Sequence, residues 1–422
     1  MTAPVRAPVL GADLSPEVWP DTSALLPPDA LEEIAGHAAE ADLRGAPPLE
    51  SLALLKKLNW PGLPVPRDFG GAGLGLTGCC AAQRALGAAD PGLAVAVNMH
   101  MFSVGLMVEH WRRRTDTSWL LMEAIATQNR LLASAFAEPN LGGSASRSTL
   151  TAVPVQGGWE ASGVKRPCSL IKEADLVCLQ LATSPAGGPG GGPGDVIVAL
   201  LPTNAPGLSV REDWDTLGMR GAASNTLLLD RCVVPDELVF YRAPAGAEDD
   251  DILAAGVVWF ALTATACYLG LAAAALDAAA DLLRRQRIAH LDAARAELPS
   301  YQAAIGEHVA DLLTLEAACA NTAARMDAGV APQTLLAGAL AVKQRAVRAV
   351  PDLVAALAEC AGGASYARKG PLERLWRDAQ AVRFHPPTPA ATRQYLGRRA
   401  LGLRASLDLD ESSPGLRAPA VP

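Results

Sequence analysis

From Ile252 to Leu276 the chain carries no charged residue, and no other feature limits its fold so sharply. At 1.5 Å per residue, a helix of this length reaches across the roughly 30 Å hydrocarbon core of a bilayer. The segment is nonetheless rich in Ala and Thr. It also runs directly into an amphipathic pattern containing Asp281, Arg284 and Arg285. No second span is evident in the sequence to pack against it. A helix enclosed by the other helices of a bundle accounts for both properties, and no membrane anchor is expected.

The rest of the chain supplies material for such an enclosure. Half of its 422 residues are apolar, enough for one large core or two to three domains. Alanine-rich runs favour closely packed helices. A net charge of −8 argues against a nucleic-acid surface, which needs clustered Lys and Arg. The eight cysteines form no CxxC pair and mostly sit in apolar runs, so buried free thiols in a reducing cytoplasm are expected. The six histidines show no HExxH or similar spacing, and no metal site is expected. Residues 1–20 are broken by prolines and lack a continuous apolar stretch. They are not read as a signal peptide, and a cytoplasmic location is expected.

Three textures divide the chain. Residues 20 to about 129 have helical apolar spacing, as at Leu31 to Ile34 and Leu52 to Leu58. From Leu131 to about Arg242 the runs alternate or are β-branched: Trp159 to Val164, Leu176 to Thr183, Val196 to Leu201 and Thr226 to Leu229. The insert Ser184 to Gly194 is nearly all Gly, Pro and Ala and reads as a flexible hairpin loop. Helical spacing resumes over 252–288, 299–328, 332–360 and 372–382. The expected units are an N-terminal helical domain (1–129), a middle β domain (130–245), a C-terminal helical bundle (246–405) and a disordered tail (406–422).

The string Gly73-Leu74-Gly75-Leu76-Thr77-Gly78 matches GxGxxG, but a dinucleotide fingerprint requires a buried strand before it. Leu63-Pro64-Val65-Pro66 is too broken by proline to be one. The wider run Gly62 to Gly71 instead belongs to an ordered series of motifs. It is followed by Phe136-Ala137-Glu138-Pro139-Asn140-Leu141-Gly142-Gly143-Ser144, then by Gly163-Val164-Lys165-Arg166-Pro167-Cys168-Ser169. Next come Leu217 to Gly221 and Val233 to Glu237, then Gly362-Gly363, Pro371-Leu372-Glu373-Arg374 and Arg377-Asp378. Over roughly residues 30 to 402 this series resembles the acyl-CoA dehydrogenase family.

The resemblance implies an α+β fold: an N-terminal α-helical domain, a middle antiparallel β-barrel domain and a C-terminal four-helix bundle. It also implies FAD, with FMN possible, and a homodimer or homotetramer. Flavin contacts would fall at Phe136, Ala137, Gly143, Ser144, Cys168, Ser169 and Thr388. Arg287, or alternatively Arg285, would meet the pyrophosphate of a neighbouring subunit's FAD, and Glu359, Gly362 and Gly363 would lie beside it. A flavin needs such donors because negative charge develops on its ring upon reduction. Several positions depart from the family: Ala137 replaces Thr, Pro167 replaces Trp, and Glu359 replaces Gln.

The largest departure concerns the catalytic base. Where the family has Tyr-Glu-Gly-Thr, this chain has His385-Pro386-Pro387-Thr388. The alternative family position for a base, on the long apolar helix, is Phe260. Neither residue at the base positions accepts a proton, so α-proton abstraction by the family's route is unsupported. Trp259, Phe260 and Pro386 are the expected substrate-pocket residues. The segment Arg377 to Pro387 is also similar to flavin-dependent monooxygenases such as dibenzothiophene monooxygenase and to related N-hydroxylases, which share the fold. That similarity makes His385 the candidate acid–base residue; a structural role as a helix cap is the alternative.

Three functions are therefore open. One is oxidation of an acyl thioester, linked to CoA or a carrier protein, with an electron-transfer partner. The second is a monooxygenase or N-hydroxylase fed by a flavin reductase. The third is a catalytically silent paralogue. The motif series favours the dehydrogenase by a narrow margin.

Overall fold

The computed structural model describes residues 18–409 apart from 145, 184–193, 248 and 369. The expected loop at 184–193 and the expected tail from 410 onward lie outside the described residues. Residues 406–409 are placed, and Asp408 accepts from Ser146 and Arg147.

Five helices come first: α1 (Pro28–Arg44), α2 (Leu49–Lys57), α3 (Leu76–Ala89), α4 (Pro91–Arg114) and α5 (Trp119–Thr127). Asp90 fixes the start of α4 by accepting from Leu93 N at 3.1 Å, with Pro91 in the first turn. The GxGxxG string forms the entry to α3 and follows no strand. The amides of Leu76 and Thr77 there donate to the Asp327 carboxylate at 2.6 and 2.9 Å. A helix N-terminus already filled by a carboxylate has no room for a phosphate. A Cβ on Gly75 would stand 2.5 Å from Asp327 Oδ1, which explains the glycine.

Eight strands follow: β1 (Leu132–Ala135), β2 (Thr151–Val155), β3 (Gly158–Cys168), β4 (Leu176–Thr183), β5 (Asp195–Pro202), β6 (Leu208–Arg211), β7 (Asn225–Pro235) and β8 (Val239–Pro244). They lie in the order β6-β7-β3-β2-β4-β5-β8, with β1 beside β4. Both β1 and β2 run parallel to β4, while the other neighbours are antiparallel. The sheet is therefore mixed, where a purely antiparallel barrel was expected. The cause is local: the Leu131 carbonyl accepts from the amides of Asp175 and Leu176. This pins β1 alongside β4 in the same direction as the chain leaves the helices.

The last part contains α6 (Asp251–Arg285), the short pair β9 (Arg287–Ile288) and β10 (Ala293–Ala294), then α7 (Pro299–Asp327), α8 (Pro332–Ala361), α9 (Pro371–Ala379) and α10 (Pro389–Ala400). Three long helices and two short ones thus make up the C-terminal helical part. Asp250 caps α6 by accepting from Ile252 and Leu253 at 2.8 Å. Every residue from Ile252 to Ala273 is buried, so the charge-free stretch is a core helix.

One expectation needs correction. The chain has a second helix, α4, that is long and apolar enough to cross a membrane, and 94% of its most apolar window is buried. Asn98, His100 and Ser103 dilute its apolar character, and Glu109 with Arg112 to Arg114 ends its charge-free run after 18 residues. The main partners of α6 are α8, α3 and α4. Glycine permits these approaches. A Cβ on Gly105 would fall 2.3 Å from the Trp259 ring, and one on Gly270 would fall 2.1 Å from the Arg84 carbonyl.

Candidate functional site

A cavity of about 670 Å³ lies where α4 and α6 meet the sheet and the segment joining α9 to α10. Val95, Met99, Phe102 and Leu106 line it from α4, and Leu253, Gly256, Val257 and Phe260 line it from α6. The α4 set steps by three or four residues and the α6 set falls at i, i+3, i+4 and i+7, so one stripe of each helix faces the space. Ser134 and Phe136, two apart, reach it from β1 and its continuation. The turn Leu141 to Ser144 and the pair Ser169 and Ser224 complete the sheet side. The two hydroxyls of that pair are 2.7 Å apart.

His385, Pro386, Pro387 and Thr388 close the far wall. Thr388 also starts α10, its hydroxyl accepting from Ala391 N at 3.3 Å. Lys343, buried in α8, donates to the carbonyls of His385 at 2.8 Å and Pro387 at 2.9 Å. Burial pulls the Lys343 ammonium down to about 8. The His385 Nε2 is 2.6 Å from the Tyr268 hydroxyl. Burial, helped by the Lys343 charge, pulls the imidazole down to about 3, so it is neutral. Burial pushes the Tyr268 phenol well up, so it keeps its proton. A protonated buried phenol with one neighbour donates to it, which leaves the ring proton of His385 on Nδ1. His385 is thus held by its ring and its backbone, and it is not a helix cap.

Glu138, Arg166 and Arg377 bring charge to the cavity lining, and each is answered by a neighbour. The Glu138 carboxylate is fully buried and pairs with Lys165, which is equally buried. It also accepts from Ser148 and from the amide and hydroxyl of Thr149. Burial opposes its ionisation, but Lys165 and these donors hold it below the usual carboxylate range. Arg166 faces Asp213 at 3.4 Å. Arg377 makes a two-pronged pair with Asp42 at 2.7 and 2.9 Å and bonds Glu373 at 2.7 Å. Its neighbour Asp378 accepts from Met219 N at 2.6 Å, and burial raises its carboxyl to about 7.

Of the residues expected from sequence, Phe136, Ala137, Gly143, Ser144, Ser169, Phe260, His385, Pro386 and Thr388 share this cavity. Cys168 does not line it. Its side chain turns into the core from β3, and burial lifts its thiol to about 12. Trp259 also lies outside the lining, because the helical step from Phe260 turns its ring over Gly105. Arg287 is exposed and pairs with Asp292. Arg295, just past β10, donates to the carbonyls of Cys360 and Ala361. The segments carrying Arg287 and Glu359, Gly362 and Gly363 thus meet at one end of the bundle, outside the cavity lining. All eight cysteines are buried and free. Among the described residues, no group of three His, Cys, Asp or Glu side chains could hold a metal. His100 is a packing residue, with Nε2 bonded to the Pro61 carbonyl and Nδ1 accepting from Leu132 N.

Sequence reasoning missed Tyr268, Lys343 and the α4 stripe. Each left a signal: a lone phenol in an uncharged helix, a lone lysine on an apolar face, and regular spacing from Val95 to Leu106.

Comparison with known proteins gives this geometry a context. Residues 30–114 match the acyl-CoA dehydrogenase N-terminal domain, and residues 262–388 match the C-terminal domain. An isobutylamine N-hydroxylase of Streptomyces viridifaciens is 28% identical over 374 residues, covering 87% of this chain and 92% of that protein. A mitochondrial isovaleryl-CoA dehydrogenase of Oryza sativa subsp. japonica is 26% identical, covering 87% and 88%. The X-ray structure of KijD3, in complex with FMN and a dTDP-amino-keto sugar, superposes with a TM-score of 0.81 at 26% identity. It covers 92% of this chain and 96% of its own.

Proposed function

The chain belongs to the acyl-CoA dehydrogenase family of flavin-dependent oxidoreductases, and within that family we propose that it is a monooxygenase using reduced flavin and dioxygen. One observation carries the proposal: among the described residues, no group in the cavity can take an α-proton from a thioester. Phe260 and Pro386 stand at the two base positions, and the Glu138 carboxylate is consumed by Lys165, Ser148 and Thr149. A neutral imidazole brought down to about 3 is too weak a base for a carbon acid.

The cavity fits a flavin, FAD or FMN. A tricyclic ring with acceptor atoms along one edge needs apolar walls and a line of donors. Phe136, Leu141 and Pro386 offer the walls, and the hydroxyls of Ser144, Ser169, Ser224 and Thr388 offer the donors. Bound flavin, reduced by a separate reductase, would supply two electrons so that one atom of dioxygen enters the substrate and the other leaves as water. His385 holds a proton at Nδ1 beside the reacting atoms, and Tyr268 fixes that tautomer from behind. The apolar stripes of α4 and α6 exclude water from the oxygen chemistry. The KijD3 complex with FMN and the N-hydroxylase relative support the reading.

Acyl thioester oxidation is the second reading, favoured by the motif series and by the isovaleryl-CoA dehydrogenase relative. The two separate in one experiment on the purified, flavin-loaded protein. The monooxygenase reading expects the flavin to bleach with NADH and a flavin reductase, and to stay oxidised when an acyl thioester is added without air. Anaerobic bleaching by the thioester would transfer the proposal to the dehydrogenase. A homodimer or homotetramer belongs to the same proposal, with Arg287 and Glu359 facing a neighbouring subunit.

A further inference from the structure

We propose that the substrate end of the cavity takes an uncharged aromatic or heteroaromatic ring. The reaction performed on that ring rests on the monooxygenase reading; the argument for recognition does not.

The first observation is a row of rings. Phe136 and Phe102 are 5.5 Å apart between centroids, Phe102 and Phe260 are 5.3 Å apart, and Phe260 and His385 are 6.1 Å apart. Each pair is edge-to-face, the arrangement that aromatic groups prefer and that a further ring can extend. The row ends beside His385, so a ring seated against it lies next to the candidate proton-bearing group.

Charge supplies the second observation. Glu138, Arg166 and Arg377 are each paired by groups of the protein itself, and the imidazole is neutral. An ammonium or carboxylate brought to the phenylalanine row would therefore meet no counter-charge, and burying it unpaired is strongly unfavourable. The Ser134 residue lines the cavity too, two residues before Phe136. It makes no side-chain hydrogen bond among the described residues and can orient one heteroatom of a ring.

The test uses the full-length flavin-loaded protein and three probes: quinoline, isobutylamine and butyryl-CoA. Binding is followed by calorimetry and by the shift in flavin absorbance at neutral pH, where quinoline is uncharged and the amine is protonated. Quinoline should bind at least about tenfold more tightly than the amine or the thioester. Phe260→Leu and Phe102→Leu should each weaken quinoline by about five- to tenfold with flavin content unchanged. Phe260→Asp should reverse the order in favour of the amine. Equal or tighter binding of the amine by the unmodified protein overturns the inference, as does quinoline binding that neither leucine variant alters. Quinoline that binds but is never oxygenated overturns the monooxygenase reading alone. Oxidation of the amine with no quinoline binding overturns the ring inference alone.

Discussion

His385 is held from two directions, by Tyr268 on its ring and by Lys343 on its backbone carbonyl. Removing the imidazole should therefore cost the Nδ1–H hydrogen bond it offers and little else. His385→Ala is expected to lower turnover by about 10²–10⁴ with flavin content near normal, measured by steady-state assay and flavin absorbance. Survival of activity to within about threefold would make the residue structural. Lys343→Met should also lower turnover while retaining flavin. It leaves the carbonyls of His385 and Pro387 short of a donor, so a loss of about 1–3 kcal/mol in denaturant melts is expected. Protonation gives a further check. Burial depresses both His100, to about 4, and His385, to about 3, from the ordinary 6.5. Their contribution to stability is complete above pH 6.5 and is lost as the pH falls through those lower values. Thermal melts of His385→Gln should accordingly fall less steeply between pH 6 and 4 than those of the unmodified protein, by roughly one proton's worth of slope.

At the scale of elements, close helix crossings depend on missing side chains. The α3–α6 crossing brings Gly270 against the Arg84 carbonyl and Gly87 against the Cys267 carbonyl. Backbone cannot withdraw as a flexible side chain can. Gly270→Val should therefore cost at least about 1–3 kcal/mol in urea unfolding; an unchanged midpoint would show that the helices separate freely. Most of these elements were legible in the sequence. Helical spacing and β-branched runs located α6, α7, α8, β4 and β5 to within a few residues, because each buries a continuous face. The direction of β1 was not legible, since two carbonyl bonds at Leu131 set it rather than any pattern. The cavity was half legible. Motifs located the turn at Phe136 and the segment at His385, but Tyr268 and Lys343 reach His385 from helices far away in the chain. No local spacing encodes that meeting.

For the whole molecule, ties between distant segments matter most. Asp327 at the end of α7 caps α3, Arg84 of α3 pairs with the buried Glu316 of α7, and Arg377 of α9 reaches Asp42 of α1. The N-terminal helices α1 and α3 are thus tied to α7 and α9 of the C-terminal part in one core. Asp327→Ala should lower stability by about 0.5–2 kcal/mol, and calorimetry should still show a single unfolding transition. A separate early transition for the N-terminal helices would contradict the shared core. Helix α6 has a further consequence, for how such an enzyme changes over evolutionary time. Leu253, Gly256, Val257 and Phe260 face the cavity, whereas Trp259, Tyr268 and Gly270 hold neighbouring elements. Drift in the first group retunes what is accepted without loosening the scaffold, while drift in the second is purged with the fold. New chemistry in this lineage can therefore arise from a few substitutions along one stripe of one helix.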